Sequence, residues 1–271
     1  MNLKNKTVII TGASSGIGKS CAEEFARNGS NLVLGARQYL ALCELAQDLE
    51  KRYGIKAVAV QCDVSIESDC IALINQAIFS FKRIDVLVNN AGISMRALFK
   101  DLDLKVLQNL MDVNFWGAVY CTKYALPELL KQKGSVVGVS SIAGYRGLPG
   151  RTGYSASKFA LNGFLEALRV ENLKTGLHVM VASPGFTASN IRNVALAKDG
   201  TSQGETSMDE GKMMSSEEVA QIIVKGVEHR KRSLIMTSQG KLTVFLNKVL
   251  PGWLDGLVYN HFTKEKDPLI K

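Results

Sequence analysis

The sequence predicts an α/β fold in which helices cover both faces of a doubly wound parallel sheet of about seven strands, giving a three-layer α/β/α arrangement. Short apolar runs rich in β-branched residues alternate with longer segments whose apolar residues recur at three- and four-residue spacing. The runs are typical of buried strands, and the longer segments are typical of amphipathic helices. A glycine-rich stretch directly after the first run indicates a sharp strand-to-helix turn.

This first turn has the sequence Thr-Gly-Ala-Ser-Ser-Gly-Ile-Gly at residues 11–18. Backbone N–H groups at the start of a helix lack partners, and glycine lets a diphosphate approach them closely. The following helix is expected over residues 19–28, with Gly29 as its C-terminal stop. In this setting the spacing Gly-x-x-x-Gly-x-Gly predicts a dinucleotide site, and a purely structural turn is the alternative. The candidate phosphate-binding residues are Gly12, Ser14, Ser15, Gly16, Ile17 and Gly18.

The remaining elements alternate along the chain. Strands are expected at residues 31–36, 57–61, 86–89, 135–140, 178–182 and 234–236. Helices are expected at residues 39–53, 67–81, 104–131, 154–174 and 216–230. Residues 188–215, rich in Gly, Ser, Thr, Asp and Met, break the alternation, and we interpret this long loop as a mobile lid over the site. We expect one domain over residues 1–271, with a helical extension over residues 237–271.

Length and composition restrict the class of protein. The 271 residues, 46% hydrophobic and 21% charged, fit one large α/β domain or two small ones. The polar N-terminus and the lack of an apolar run of about 18 to 20 residues predict a cytoplasmic protein. Five cysteines without a Cys-x-x-Cys pair and three separated histidines predict neither disulfides nor a metal site. The net charge of +8 indicates a solvated basic surface and no nucleic-acid partner, unless the basic residues cluster.

The end of the second strand bears on cofactor choice. An NAD site usually carries an acidic residue there, which binds the ribose hydroxyls of the adenosine. Here the strand ends at Ala36 and is followed by Arg37. A guanidinium pairs with a 2′-phosphate, and no carboxylate at Ala36 repels that phosphate, so the sequence favours NADP(H). The alternative is a solvated arginine at a strand end.

Two further strand ends carry candidate adenosine-binding residues. Asp63, followed by Val64, closes the third strand, and its carboxylate can accept a hydrogen bond from an adenine amino group. After the fourth strand, the small residues Asn90, Ala91 and Gly92 form a turn over which the adenosine half of the cofactor can pass. Both features are also compatible with ordinary turn chemistry.

A tyrosine and a lysine form the candidate catalytic pair. Tyr154 and Lys158 lie four residues apart and share one face of a helix, and Ser141 lies upstream at the end of the fifth strand. Tyrosine titrates near 10, so action at neutral pH requires its pKa to fall by about three units, or roughly 4 kcal/mol. A neighbouring ammonium and an oxidised nicotinamide could supply that fall. Such a pair arises often by chance, so its weight comes from the glycine turn earlier in the chain.

Together these motifs resemble the short-chain dehydrogenases/reductases, in the subtype whose chains have about the length of this one, over residues 6–236. The resemblance implies a Rossmann-like domain with Tyr154 as general acid/base and Ser141 hydrogen-bonded to the substrate oxygen. It implies that Lys158 lowers the pKa of Tyr154 and holds the nicotinamide ribose, and that Asn114 supports a water-mediated proton relay.

The resemblance also extends beyond the sixth strand. The family's Pro-Gly motif stands here as Pro184 and Gly185, which are expected to contact the cofactor. The threonine that follows this motif in the family, and touches the cofactor's phosphates or carboxamide, is replaced by Ser189, with Thr187 nearby. A hydroxyl is therefore retained at this end of the site.

By the same resemblance, the substrate pocket is lined by Ser94, Met95, Tyr145, Leu148 and Phe186 together with the lid. This mostly apolar set suits a lipophilic substrate that is steroid-, retinoid- or acyl-like. The implied activity is hydride transfer between NADP(H) and a carbonyl or secondary alcohol, that is, an oxidoreductase acting on CH–OH groups with NADP as acceptor. The expected assembly is a homodimer or homotetramer.

Two other functions are weighed. Sugar-nucleotide epimerases can share Tyr-x-x-x-Lys, but they resemble an extended subtype with Gly-x-x-Gly-x-x-Gly and a longer C-terminal domain. A cofactor-binding regulator without turnover would have no reason to retain Ser141, Tyr154 and Lys158 together.

The 35 residues after Met236 form a tail. The ketoacyl-carrier-protein reductases of the family, which the chain otherwise resembles, end soon after the seventh strand. Two apolar stretches, 242–250 and 253–259, predict short amphipathic helices divided by Pro251-Gly252. Eight basic residues against three acidic ones follow residue 229, and Trp253 and Tyr259 suit a membrane interface. Packing on the chain's own domain or on a second subunit is nevertheless the favoured interpretation, and the membrane interface is the alternative. The tail resembles that of steroid- and lipid-handling members such as the 11β-hydroxysteroid dehydrogenases.

Overall fold

The computed structural model describes residues 1–187, 191, 194–204, 213–264 and 268–270. Its strands are β1 (Thr7–Thr11), β2 (Asn31–Ala36), β3 (Ala57–Gln61), β4 (Val86–Asn89), β5 (Ser135–Val139), β6 (His178–Ser183) and β7 (Ser233–Ile235). Its helices are α1 (Gly16–Arg27), α2 (Tyr39–Tyr53), α3 (Glu67–Phe81), α4 (Leu104–Met111), α5 (Gly117–Lys131), α6 (Thr152–Glu171), α7 (Ser216–Glu228), α8 (Ser238–Val249) and α9 (Pro251–Phe262).

All seven strands belong to one parallel sheet, in the order β3-β2-β1-β4-β5-β6-β7. Successive side chains of a strand point to opposite faces, so Val8 and Ile10 of β1 pack with α1, α2 and α7. Ile9 points the other way and packs with α3, α5 and α6. The predicted doubly wound, three-layer fold is confirmed. Because β1 pairs with both β2 and β4, the order of the strands reverses at β1 and leaves a crevice at their carboxyl ends.

The predicted element boundaries are mostly correct to within four residues, and the first helix needs a specific correction. α1 begins at Gly16, three residues before the predicted start at Lys19. Ser15 is still extended, so Gly16 and Gly18 belong to the first helical turn and not to the loop. Glycine carries no periodic apolar signal, which explains why the pattern places the start too late. Gly29 has a φ of +77°, in agreement with its predicted role as the stop.

The predicted single helix over residues 104–131 is interrupted. Residues Asp112–Trp116 form a π-helical turn between α4 and α5. A π turn holds an extra residue and rotates the side chains that follow it, and such turns recur at functional sites. Asn114 lies in this turn and is buried.

The described parts of residues 188–215 and of the tail lie against the domain. The backbone of Leu196 bridges to Met95, and that of Met214 bridges to Thr187. In the tail, Val244 and Leu254 are buried. Within the described part of the chain, none of the helices combines the length and the apolar character needed to span a bilayer.

Candidate active site

A cleft of about 460 Å³ opens at the carboxyl ends of the strands, within the roughly 300–1,000 Å³ typical of ligand sites. Most of the sequence-predicted cofactor residues line it, namely Gly12, Ser14, Ser15, Gly16, Ile17, Arg37, Asp63, Val64, Asn90, Ala91, Gly92, Tyr154, Lys158, Pro184, Gly185 and Thr187. Gly18 lies beneath the turn, and Ser189 lies outside the described residues. The fold therefore brings residues that follow strands β1 to β6 into one cavity.

The glycine turn is built so that side chains are excluded. Gly12 has a φ of +64°, and a Cβ on it would lie 2.8 Å from the Cα of Ala91. A Cβ on Gly18 would lie 2.2 Å from the carbonyl oxygen of Gly12, so Gly18 lets the helix pack under the turn. The Thr11 hydroxyl accepts hydrogen bonds of 3.0 Å from the backbone N–H groups of Asn90 and Ala91, which fixes the turn after β4 against the first turn.

The start of α1 has the chemistry of an anion site. The first turn of α1 contains no acidic residue, and the Ser15 side chain does not cap its N–H groups. Those N–H groups lie at the positive end of the helix dipole and border the cleft. The bare glycine cradle and the open helix start fit the diphosphate of a nicotinamide dinucleotide.

At the other end of the cleft, α6 carries Tyr154 and Lys158 on one face. The Lys158 Nζ lies 5.8 Å from the centroid of the Tyr154 ring and donates a 2.9 Å hydrogen bond to the carbonyl of Val139. Ser141 follows β5 and begins the 3₁₀ turn Ile142–Gly144. Tyr154, Lys158 and Ser141 all line the cleft.

Burial shifts the pKa values of both Tyr154 and Lys158. It raises the pKa of Tyr154 above its usual value, while the Ser141 hydroxyl and the charge of Arg151 act in the opposite direction without cancelling it. Burial lowers the pKa of Lys158 to about 8. The protein surroundings alone therefore do not supply the downward shift of the Tyr154 pKa that the sequence leads us to expect.

Asn114 is fully engaged in holding the site together. Its Oδ1 accepts a 2.8 Å hydrogen bond from the N–H of Ile93, and its Nδ2 donates to the carbonyl of Ile93 at 3.0 Å and to Ser157 Oγ at 2.9 Å. These bonds tie the loop after β4 to α6. A Cβ on Gly92 would lie 3.2 Å from Asn114 Oδ1 and 3.4 Å from Lys158 Nζ, so both polar atoms converge on that glycine. The expected proton relay through Asn114 stays a prediction.

At the adenosine end, Arg37 is exposed at the rim of the cleft, directly after the buried Ala36. Asp63 also borders the cleft, and its Oδ1 accepts hydrogen bonds from the Ser65 N–H at 3.0 Å and the Ser65 hydroxyl at 2.7 Å. That carboxylate oxygen therefore serves its own turn, which is the alternative considered for Asp63.

Three of the residues expected to face the substrate besides Ser141 line the cleft, and two do not. The three are Ser94, Leu148 and Phe186. Met95 does not face the cleft as expected, because it is completely buried against α4. Tyr145 does not line the cleft either. Its hydroxyl lies 3.5 Å from Ser233 Oγ at the start of β7, away from the cleft.

Sequence reasoning missed several residues that line the substrate end. Arg151 borders the cleft three residues before Tyr154, and its Nη1 donates to Ser94 Oγ at 3.4 Å. It lies at the N-cap of the tyrosine helix, where no spacing rule marks an arginine, so local sequence carries no signal for it. Apolar lining residues come from the π turn and from the predicted lid, namely Val113, Ile191, Val194 and Leu196.

A dinucleotide cleft that ends at a serine, a tyrosine and a lysine on a Rossmann-like sheet defines a nicotinamide-dependent oxidoreductase. Residues 6–199 match the family model described as short chain dehydrogenase. The chain belongs to the short-chain dehydrogenase/reductase family, as its motifs indicate. It is an oxidoreductase of the kind that acts on hydroxyl groups with a nicotinamide cofactor.

Curated relatives cover nearly the whole chain. An 11-beta-hydroxysteroid dehydrogenase A from Arachis hypogaea is 36% identical over 264 residues, which are 94% of this chain and 74% of the relative. The dehydrogenase/reductase SDR family member 7B from Mus musculus is 33% identical over 269 residues, 97% of this chain and 83% of the relative.

Solved structures share the fold at lower identity. An alcohol dehydrogenase from the archaeon Thermococcus sibiricus, complexed with 5-hydroxy-NADP, superposes with a TM-score of 0.77 at 24% identity, covering 86% of this chain and 96% of that one. A short chain dehydrogenase/reductase from Burkholderia phymatum, in complex with NAD, superposes with a TM-score of 0.82 at 22% identity, covering 92% of this chain and 94% of that one.

Proposed function

We propose that the chain interconverts a carbonyl and a secondary alcohol on a lipophilic substrate, with NADP(H) as cofactor. The observation that carries the proposal is the joining of Ser141, Tyr154 and Lys158 to Arg37 by one continuous cleft. When bound, the cofactor supplies or accepts the hydride. In reduction, the Tyr154 hydroxyl gives its proton to the substrate oxygen while the Ser141 hydroxyl donates a hydrogen bond to it. In oxidation the proton returns to Tyr154.

The preference for NADP(H) rests on charge at the adenosine end. Arg37 is exposed at the rim, and the buried Ala36 before it brings no carboxylate that would repel a 2′-phosphate. A charge-assisted contact contributes about 1.5 to 3 kcal/mol. We expect Arg37→Ala to weaken NADPH binding by roughly ten- to a hundredfold and to leave NADH binding nearly unchanged, as measured by fluorescence titration.

Arg27→Ala is the matched control, because Arg27 pairs with Glu24 on the surface at the opposite end of α1 from the glycine turn. It is expected to leave both affinities unchanged. Equal losses for NADPH and NADH in Arg37→Ala would contradict the cofactor assignment.

The proposed substrate class rests on the apolar lining of the catalytic end. Leu148, Phe186, Val194 and Leu196 border the cleft there, and one relative is named a hydroxysteroid dehydrogenase. A screen of steroid ketones, retinal and acyl ketones against sugars, monitored through NADPH absorbance, tests it. Turnover of sugars alone would contradict a lipophilic substrate.

We also propose that the outward face of α8 and α9 contacts an anionic membrane surface. The inner face packs on the domain, while the outer face leaves side chains 44% to 62% exposed, namely Leu242, Phe245, Val249, Leu250, Trp253 and Leu257. Lys241 and Lys248 of α8 are also exposed. Apolar and cationic side chains together suit the interface of an anionic bilayer.

Sedimentation with vesicles tests the membrane contact. At low salt, where screening is weak, the chain should sediment with phosphatidylserine vesicles and less with neutral ones, and the double variant Phe245→Ala/Trp253→Ala should lose this binding. Failure of the wild-type chain to sediment with anionic vesicles would exclude the membrane. Loss of a dimer in the double variant would assign the face to a second subunit instead. The homodimer or homotetramer and the cytoplasmic location stay predictions, and sedimentation velocity measures the former.

A further inference from the structure

Ser141 is carried by a short turn, residues 141–146, which we call the serine turn. Its backbone is held by local hydrogen bonds, from Gly144 N to Ser141 O at 3.0 Å and from Tyr145 N to Ile142 O at 2.9 Å. Asn162 of α6 fastens one side of it, because its Nδ2 donates a 2.8 Å hydrogen bond to the carbonyl of Gly144. The helix that carries Tyr154 is therefore bonded to the serine turn at Gly144.

The tail is also bonded to the serine turn, mainly through the side-chain amide of Asn247. Asn247 of α8 donates from Nδ2 to the carbonyl of Tyr145 at 2.9 Å. Its Oδ1 accepts a 3.0 Å hydrogen bond from Nη1 of Arg146. Arg146 also forms an ion pair with Asp255 of α9. Both ends of the Asn247 amide are thus used to join the serine turn to α8, and Arg146 extends the connection to α9.

Close packing reinforces these bonds. Gly240 in the first turn of α8 lies so near the serine turn that a Cβ on it would come within 2.6 Å of Ile142 Cδ1. Thr237, which caps α8, lies against the Pro-Gly loop after β6, where a Cβ on Gly185 would come within 2.7 Å of Thr237 Cγ2. The start of α8 consequently rests on two loops that line the cleft.

We propose that Asn247 and Arg146 are positioning residues, which hold the serine turn so that the Ser141 hydroxyl meets both Tyr154 and the substrate oxygen. Neither side chain lines the cleft, so they act through Ser141 and not on the substrate. Placement of this kind matters because an error of about 1 Å in a reacting group can cost about a hundredfold in rate. The proposal rests on the proposed function for the catalytic role of Ser141.

The sharpest variant is Asn247→Asp. The carboxylate keeps the shape of the amide and the acceptor for Arg146, but it cannot donate to the carbonyl of Tyr145. We expect kcat to fall roughly ten- to a hundredfold, while the NADPH affinity stays at the wild-type value because the glycine turn is untouched. Asn260→Asp, the same chemical change at an exposed position of α9, should behave as wild type.

The pH dependence of kcat separates positioning from loosening of the fold. Ser141 acts to lower the pKa of Tyr154. The other groups that face Tyr154 are Lys158 of α6 and Arg151 at the N-cap of α6, and both stay in place. Displacing the Ser141 hydroxyl should therefore move the Tyr154 limb of the pH–kcat profile to higher pH. A variant that only loosens the tail would lower the melting temperature without moving this limb.

Amide hydrogen exchange provides a readout that needs no substrate. The N–H groups of residues 142–146 should exchange faster in Asn247→Asp than in wild type or Asn260→Asp. Wild-type kcat with wild-type exchange in the serine turn would overturn the proposal. Absence of NADPH-dependent turnover in the wild-type chain would instead overturn the proposed function, and the exchange rates would still decide whether Asn247 holds the turn.

Discussion

At the scale of single residues, burial shifts the pKa values of Tyr154 and Lys158 in opposite directions. It raises the pKa of Tyr154 and lowers that of Lys158 to about 8. Both shifts favour the neutral side chain, since burial disfavours charge of either sign. Tyr154 is therefore held protonated, which suits a group that donates a proton to a carbonyl oxygen.

We expect Tyr154→Phe to abolish turnover and leave NADPH affinity unchanged, because the hydroxyl transfers a proton and does not hold the dinucleotide. Loss of a positioned acid typically costs about 10² to 10⁴ in rate, which stopped-flow assays would resolve. Tyr53→Phe, at the C-terminal end of α2, is the matched control. Retention of a tenth of the wild-type rate would mean that another residue is the acid.

Lys158→Ala should differ from Tyr154→Phe by damaging both rate and cofactor affinity. The ammonium borders the cofactor part of the cleft and is held there by the carbonyl of Val139. Isothermal titration with NADPH measures the affinity. Unchanged NADPH affinity in Lys158→Ala would argue against a role in holding the nicotinamide ribose.

The sequence predicts residues of this site where chemistry and local spacing coincide, and it misses those that act over a distance. Tyr154 and Lys158 share a helix face, so their spacing is informative. Arg151 begins the same helix, but an arginine there has no spacing rule. The bond between Asn247 and Tyr145 joins residues 102 positions apart, and no local pattern encodes it.

At the scale of elements, the π turn Asp112–Trp116 has a structural task through Asn114. We expect Asn114→Ala to lower the free energy of unfolding by about 2 to 4 kcal/mol, because the loss of three side-chain hydrogen bonds leaves buried groups without partners. Urea denaturation measures this. Gln108→Ala, at an exposed position of α4, should change stability by less than about 0.5 kcal/mol. A large loss of rate without loss of stability would show that Asn114 serves catalysis alone.

Elements are predictable to the extent that burial repeats along the chain. The strands and most helices follow from apolar periodicity, which local sequence carries. The π turn does not, because one extra residue per turn leaves the apolar spacing of residues 104–131 almost intact. The early start of α1 is likewise hidden, since Gly16 is required by its φ of +50° and Gly18 by a close backbone contact, and neither is required by an apolar face.

At the scale of the whole molecule, His178 makes the stability of the sheet depend on pH. Its ring lies 3.0 Å from Ser135 Oγ and 2.8 Å from the carbonyl of Lys231, joining β5 and β6 to the segment before β7. Burial, chiefly, holds the pKa of His178 below its ordinary value. The unfolded chain therefore takes up the proton first, and stability present above about pH 6.5 is lost as the pH falls.

We expect the free energy of unfolding to fall between pH 7.5 and 5.5, and to fall less steeply in His178→Gln. A single group changes the free energy of unfolding by at most about 1.4 kcal/mol per pH unit. Urea denaturation at the two pH values resolves a change of this size. His229→Gln, at the exposed C-terminal cap of α7, is the control and should follow wild type. Identical slopes for His178→Gln and wild type would contradict the prediction.

The position of β1 between β2 and β4 also sets an order for events during protein synthesis. Val8 of β1 lies opposite Leu32 of β2 and opposite Val86 of β4. A growing chain can close β1 on β2 early, but the second edge of β1 stays unpaired until β4 has left the ribosome, and such distant parallel pairings form slowly. We therefore expect nascent chains to bind the adenosine half of the dinucleotide only after β4 is made, and to gain full affinity once the helix carrying Lys158 has been translated.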